Sequence, residues 1–327
     1  MDDPAGVRPL TVDVWFPLAA SVDKTTLSPQ RYSLLPEVYY QSPTALVAKA
    51  DQLDTTEKFP LVVYSHGSGG LRYIHSSYTE ALASNGYVVV APDHTGNTAV
   101  ERITNGSAPA NEIAFNRPQD VRRVIDAFLD PAHPTAGPYA SHIDADKVVV
   151  TGHSFGGFTT IALAAGFTND LGTTLVDKRV KAIIPIAPAA SKELLPDTTL
   201  SSISVPMMVL VGTNDKTTPV DPNVTRLWSL SKNALAYRVE LVAGQHQTFT
   251  DICAYQTFLP KLANVPEVIT KTIDSFAAEG CAPGDIGARR AAELTNSYVI
   301  RFLDQVFRNG PALSATANPK DVIFAAR

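Results

Sequence analysis

Gly152-His153-Ser154-Phe155-Gly156 is a G-x-S-x-G pattern between the β-branched run Val148-Val149-Val150-Thr151 and an alanine-rich stretch of helical character. A serine at the tip of a sharp strand-to-helix turn sits in strained backbone, so the positions two before and two after it must be nearly free of side chain. Gly152 and Gly156 meet that need, and Gly157 lets the helix pack close behind. The turn also aims the N–H groups of the helix start at an oxyanion forming on an attacked carbonyl. In this strand-to-helix context the pattern predicts Ser154 as a nucleophile.

A serine hydroxyl attacks only as a base takes its proton, and imidazole has the pKa for that at neutral pH. Of the seven histidines, His246 follows an apolar run at 237–242, in Ala243-Gly244-Gln245-His246-Gln247-Thr248-Phe249. That places it on a loop at the carboxyl edge of a sheet, where open α/β folds carry their sites. His153 is expected to shape the pocket, and His66 to order by hydrogen bonding the loop it starts. His75, His94, His133 and His142 show no convincing partners. The acid that orients the base is expected at Asp215, after the run 207–211, in Gly212-Thr213-Asn214-Asp215-Lys216. Asp221 is its rival, while Asp177 precedes its strand and lies at the wrong end. The order Ser154, Asp215, His246 is the one that accompanies a nucleophile elbow. Two oxyanion donors are expected: the Phe155 N–H, and the backbone N–H of Ser68 in Ser65-His66-Gly67-Ser68-Gly69-Gly70, with Gly69 as the alternative.

The elements that must position these groups are short apolar runs at 61–64, 87–90, 148–151, 180–186, 207–211 and 237–242, alternating with helical patterns. The helical stretches are expected up to Asn85, over 117–130, after the elbow and over 291–307. Residues 10–17 alternate like an early strand. Residues 18–57 lack a sustained period and read as loops with a short helix near 44–53. Strands buried on both faces and alternating with helices specify a mostly parallel sheet covered on both sides, an α/β architecture, with 1–327 as a single domain. An excursion at 251–287, set among Pro260, Pro266 and Pro283, interrupts the rhythm beside the active edge; it suits a small cap or an ordinary surface insertion.

Composition bounds the partners. With 45% apolar and 18% charged residues the chain is a folded one, and a net charge of −5 without a basic run offers nothing to nucleic acid or to an anionic membrane. No apolar stretch approaches the ~20 residues that span a bilayer, and the start Met1-Asp2-Asp3-Pro4 is not a signal peptide. A Walker A loop, a G-x-G-x-x-G after a first strand and a zinc-spaced His/Cys set are all missing, so neither a cofactor nor a metal is expected. The two cysteines, Cys253 and Cys281, enclose one irregular excursion, which favours a bridge and an oxidising compartment.

Taken together, these residues resemble the α/β-hydrolase superfamily over nearly the whole chain. Within it the chain is similar to bacterial proteins called predicted dienelactone hydrolases, relatives of platelet-activating-factor acetylhydrolases. The matching stretches are Val14-Trp15-Phe16-Pro17, Ser65-His66-Gly67-Ser68-Gly69-Gly70, Ala91-Pro92-Asp93-His94, Gly152-His153-Ser154-Phe155-Gly156-Gly157 and His246-Gln247-Thr248-Phe249. The resemblance implies Ser154 as nucleophile, His246 as base and the Ser68 and Phe155 amides as oxyanion donors. Two departures stand out. True dienelactone hydrolases carry a cysteine nucleophile. In the animal acetylhydrolases the acid follows the strand directly after the elbow, where this chain has Ile186-Ala187-Pro188-Ala189-Ala190, so the acid is expected at Asp215 instead. The two cysteines after the histidine fit secreted or periplasmic relatives.

The expectation is therefore a serine esterase acting through an acyl-enzyme on short or medium acyl esters, small-molecule or polymeric. A peptidase or amidase on the same residues, and a catalytically silent binding protein, are the alternatives. The oligomeric state is not encoded legibly.

Overall fold

The computed structural model describes residues 8–35, 38–262, 265–314 and 319–327; the start read above for a leader, and residues 263–264 of the excursion, lie outside them. In chain order the strands are β1 (Val12–Trp15), β2 (Pro29–Leu35), β3 (Val38–Leu46), β4 (Phe59–Ser65), β5 (Val88–Pro92) and β6 (Ile143–His153). They continue with β7 (Phe167–Asn169), β8 (Gly172–Thr174), β9 (Val180–Ile186), β10 (Met207–Gly212), β11 (Ala236–Leu241) and β12 (Val322–Ala326). The helices are α1 (Ser76–Ser84), α2 (Ala99–Ile103), α3 (Ala110–Leu129), α4 (Gly137–Ala140) and α5 (Phe155–Ala165). After them come α6 (Asp197–Leu200), α7 (Thr225–Leu230), α8 (Ile252–Phe258), α9 (Glu267–Ala277) and α10 (Ala288–Phe307).

Eight strands pair in the order β1-β5-β4-β6-β9-β10-β11-β12. The β5-β4-β6-β9-β10-β11 centre is parallel, and β1 and β12 are antiparallel edges. Strand alternation explains why these runs are apolar throughout. Val148 and Val150 pack with Phe158 and Val121 on the α3/α5 side, while Val149 packs with Leu82 and Phe302 on the α1/α10 side. Both layers are buried, as the strand–helix rhythm predicts, and the architecture is the α/β-hydrolase fold that the resemblance implies.

Four details differ from the sequence reading. Residues 18–57 hold the β2–β3 hairpin, and only Ala50–Gln52 turns as a short helix near the expected place. Its irregular register breaks the period-two signal. The polar stretch after Thr95 contains α2, and α3 begins at Ala110 instead of 117, leaving Pro118 inside the helix. The first turn of α3 is exposed and polar, so it carries no apolar stripe to reveal it. Strand β12 was not foreseen; it is short, half-exposed and recruited by pairing with β11.

The excursion contributes α8 and α9, which lean on each other and on Leu34 and Ile74 through a small apolar cluster around Ile252, Tyr255 and Ala277. Cys253 and Cys281 are bridged, with an S–S length of 2.00 Å and a Cα separation of 5.5 Å. The bridge closes a loop of sequence separation 28, worth up to about 3.5 kcal/mol in chain entropy. Replacing both cysteines by alanine is expected to lower the unfolding free energy by about 3 kcal/mol, measured by urea titration under oxidising conditions. An unchanged midpoint would show that the cap is held without the bridge.

Candidate active site

Four strands of the parallel centre deliver the residues singled out above to one edge. Strand β4 runs into the loop 66–70, β6 into Ser154, β10 into Asp215 and β11 into His246. Register fixes the neighbours: Ser65 pairs with Gly152, and Gly212 with Leu241.

Ser154 takes φ +57° and ψ −117°, the strained turn expected of an elbow. The glycines around it answer to close backbone approach. A Cβ on Gly156 would collide with the Ser65 carbonyl, and one on Gly152 would lie 2.6 Å from the Gly156 carbonyl. The Ser154 N–H is held by the Ile186 carbonyl at 2.9 Å, and its own carbonyl receives the Gly157, Phe158 and Ala189 N–H groups. The N–H groups of Phe155 and Ser68 have no acceptor among the described residues. Phe155 opens α5, so its N–H belongs to the unpaired first turn of a helix.

The His246 Nδ1 lies 2.9 Å from Asp215 Oδ2, with both side chains buried. The Asp215 Oδ1 accepts the Thr217 and Thr218 N–H groups at 3.0 and 2.7 Å. Thr218 Oγ1 sits 2.9 Å from Asp215 Oδ2, 3.1 Å from His246 Nδ1 and 2.9 Å from the Ala187 carbonyl, bracing the pair from below. Asp221, the rival acid, stands in a turn before α7 and does not bond to His246; Asp177 is engaged by Arg179 at the far end of the sheet. Ser154 and His246 border the same cavity without a hydrogen bond between their side chains. This looseness is common before substrate binds.

That cavity, about 280 Å³, lies between the sheet edge and the cap. Ser68 and Gly69 form part of its floor, and Ile252, Tyr255, Ile269, Ile273 and Phe276 of the excursion wall its apolar side. Residues of the excursion 251–287 thus line the cavity that Ser154 borders. The Gln247 N–H donates to the Glu279 carbonyl at 2.7 Å, tying the cap to the His246 turn. A second cavity of about 330 Å³ lies among β1, β2, β3 and α1, and Ser154, Asp215, His246, Ser68 and Phe155 all lie away from it.

Three other histidines, His153, His66 and His94, lie beneath the site. His153 Nε2 donates to the His246 carbonyl at 2.9 Å, and burial followed by the neighbouring His246 holds its pKa down to about 3. His66 Nδ1 donates to the Gly67 carbonyl at 2.7 Å while its Nε2 accepts the His94 N–H at 3.1 Å, the loop-ordering contact expected of it. His94, which offered no partner in sequence, lies 2.9 Å from Ser65 Oγ and 3.0 Å from Asp120 Oδ2. Ser65 and His94 are fully buried, so this second Ser–His–Asp row is closed to substrate. The missed signal is Asp120, one turn beyond Arg117 on the buried stripe of α3, where a charge is costly unless paired.

A family model described as platelet-activating factor acetylhydrolase, isoform II, matches residues 13–124, which include the Gly-rich loop and stop before the elbow. The chain is 28% identical to the platelet-activating factor acetylhydrolase of Bos taurus over 159 residues, 38% of this chain and 36% of that one. It is 27% identical to a probable 1-alkyl-2-acetylglycerophosphocholine esterase of Arthroderma benhamiae over 256 residues, 74% of this chain and 59% of that one. The matches to the mammalian relatives therefore span about a third of their length. Among solved structures, a ferulic acid esterase from Streptomyces cinnamoneus superposes with a TM-score of 0.58 at 24% identity, covering 84% of this chain and 75% of that one, a likeness of fold.

A neutral, buried His153 has a measurable consequence. With its folded pKa at about 3, below the ordinary ~6.5, the unfolded chain binds a proton there that the folded chain does not. Its contribution to stability is complete above pH ~6.5 and is lost as pH falls through that window. The stability difference between the native protein and His153→Gln should therefore shrink by up to about 1.4 kcal/mol per pH unit on acidification from about pH 6 to about pH 4. Denaturant titrations at stepped pH read this, and a pH-independent difference would mean that His153 is charged in the native state.

Proposed function

We propose that this chain is a carboxylic ester hydrolase working through an acyl-enzyme on Ser154. The observation that carries the reading is the buried Asp215–His246 pair opening into the same cavity as a serine held at positive φ. His246 takes the Ser154 proton as Oγ attacks the ester carbonyl. Asp215, acceptor-only and already braced by two backbone N–H groups, keeps the proton on Nδ1 and stabilises the imidazolium. The Phe155 and Ser68 N–H groups, both without an acceptor among the described residues, donate to the oxyanion. The tetrahedral intermediate collapses as His246 returns the proton to the departing alcohol. Water then enters by the same route in reverse to release the acid. This chemistry needs no cofactor.

The cavity supports a limit on substrate size. At about 280 Å³ it lies just below the ~300–1,000 Å³ that holds drug-sized ligands, and its cap side is apolar. Short or medium acyl groups fit that volume, on a free ester or on one displayed by a polymer. The names of the relatives, acetylhydrolase and esterase, support the reaction class. The bridged cap supports a secreted or periplasmic setting, because thiols stay reduced in the cytosol.

The protein is expected to react with a fluorophosphonate probe at Ser154 and to hydrolyse p-nitrophenyl esters with a fall in rate at long chain length. Ser154→Ala should abolish labelling and turnover; undiminished labelling of that variant would overturn the assignment. Asp215→Asn should lower kcat by about 10²- to 10⁴-fold with KM little changed. A native rate in that variant would move the acid elsewhere, Asp221 being the first place to look.

A further inference from the structure

Arg117 is the largest fully buried side chain among the described residues, lies on α3 away from the cavity, and has no role in the chemistry above. We propose that Arg117 is the positioning residue of the oxyanion site, tying the loop that carries Ser68 to the elbow that carries Phe155. The proposal rests on the ester-hydrolase reading and concerns how its two amide donors keep their spacing.

Three contacts place the guanidinium on the loop side. Nη2 donates to the His66 carbonyl and, at 3.0 Å, to Ser65 Oγ; Nη1 donates to Asn97 Oδ1 at 2.6 Å. Asn97 passes the restraint on. Its Nδ2 donates to Ser68 Oγ at 3.1 Å, and its carbonyl accepts the Gly69 N–H at 3.2 Å. Ser68 is thus held through its hydroxyl and through the residues on either side, while its N–H has no acceptor among the described residues. The direction of that N–H is set as well. It belongs to the same planar trans peptide as the Gly67 carbonyl and points the opposite way. That carbonyl accepts from both His66 Nδ1, at 2.7 Å, and the Gly70 N–H, at 3.1 Å. His66 can donate there while accepting the His94 N–H only if it is neutral, and burial, followed by the charge of Arg117, keeps it so.

On the elbow side the guanidinium carbon lies over the Phe155 ring, 5.3 Å from its centre, within cation–π range. One rigid fork therefore touches Phe155 directly and reaches Ser68 through Asn97. The cost explains why a lesser residue would not serve. Arg117 meets no carboxylate directly: the nearby Asp120 is taken by Arg8, Arg123 and His94. Burial pulls the Arg117 pKa down to about 9, a measure of how unfavourable the charge is there. A planar group with several donors in fixed directions is what the site gains in return.

The test compares Arg117→Lys and Asn97→Leu with the native protein on p-nitrophenyl acetate, with phenylboronic acid as a mimic of the tetrahedral state. Displacing a donor without deleting it should lower kcat about 10- to 100-fold, change KM less than about 3-fold, and weaken boronic acid binding by the same factor as kcat. Asn97→Leu carries the test alone if Arg117→Lys does not fold, since it leaves the buried cation and its two other acceptors in place. Folded variants with native kcat and native boronic acid affinity overturn the proposal, as does a loss confined to KM. Failure of the esterase reading is separately visible, as a native protein without turnover or a Ser154→Ala variant that keeps it.

Discussion

The approach of two backbones at the elbow constrains everything else at the active edge. Gly156 lies so close under the Ser65 carbonyl that no side chain fits between them, and Ser65 is paired in register with Gly152. The strand that carries the Gly-rich loop and the strand that carries Ser154 are therefore locked together, at the point where Ser154 is forced to positive φ. Strain of this kind, of order 1–3 kcal/mol, survives only where neighbours over-determine the turn. Here Ile186 holds the serine N–H, and three N–H groups converge on its carbonyl.

Beneath that edge lies a polar layer whose histidines the fold keeps neutral. Desolvation drives the pKa of His66, His75, His94 and His153 well down, so each is a neutral ring with one donor and one acceptor. A neutral imidazole must choose its partners, which gives direction to a network that charged rings would scramble. His153 spends its N–H on the His246 backbone, and His66 spends its own on the Gly67 backbone. Both thereby act on main chain that carries a proposed catalytic group.

Legibility in the sequence followed the strength of local constraint. The parallel strands, the elbow glycines and the Asp215–His246 pair were all readable, because each comes from a short segment whose position is set by the strand before it. The β2–β3 hairpin was not, since its alternation is broken by shifts of register. Strand β12 was not either, because a half-exposed edge strand exists through its partner β11 more than through its own pattern. The Arg117–Asn97–Ser68 relay spans three separate segments and is a product of tertiary packing alone. Arg117 appeared in sequence only as the start of an amphipathic helix, and its polar head on a buried face was the one available sign.

The two Ser–His–Asp rows show why distance alone does not identify a nucleophile. Ser65, His94 and Asp120 are linked at 2.9 and 3.0 Å, a tighter row than Ser154 makes with His246. Yet Ser65 Oγ accepts from Arg117 as it donates to His94, and no cavity reaches it among the described residues. Its hydrogen bonds run from a cation at one end to a carboxylate at the other, and they fix an orientation that no substrate interrupts. Ser154 has the opposite endowment: it borders open volume beside His246 without a hydrogen bond to it, and the Phe155 and Ser68 N–H groups have no acceptor among the described residues. A row that is satisfied stabilises the fold, and a row left unsatisfied can spend its hydrogen bonds on a reacting ester. The same three side-chain types, gathered at one edge of the sheet with Asp120 supplied by α3, are set apart by access and by which polar groups stay unpaired among the described residues.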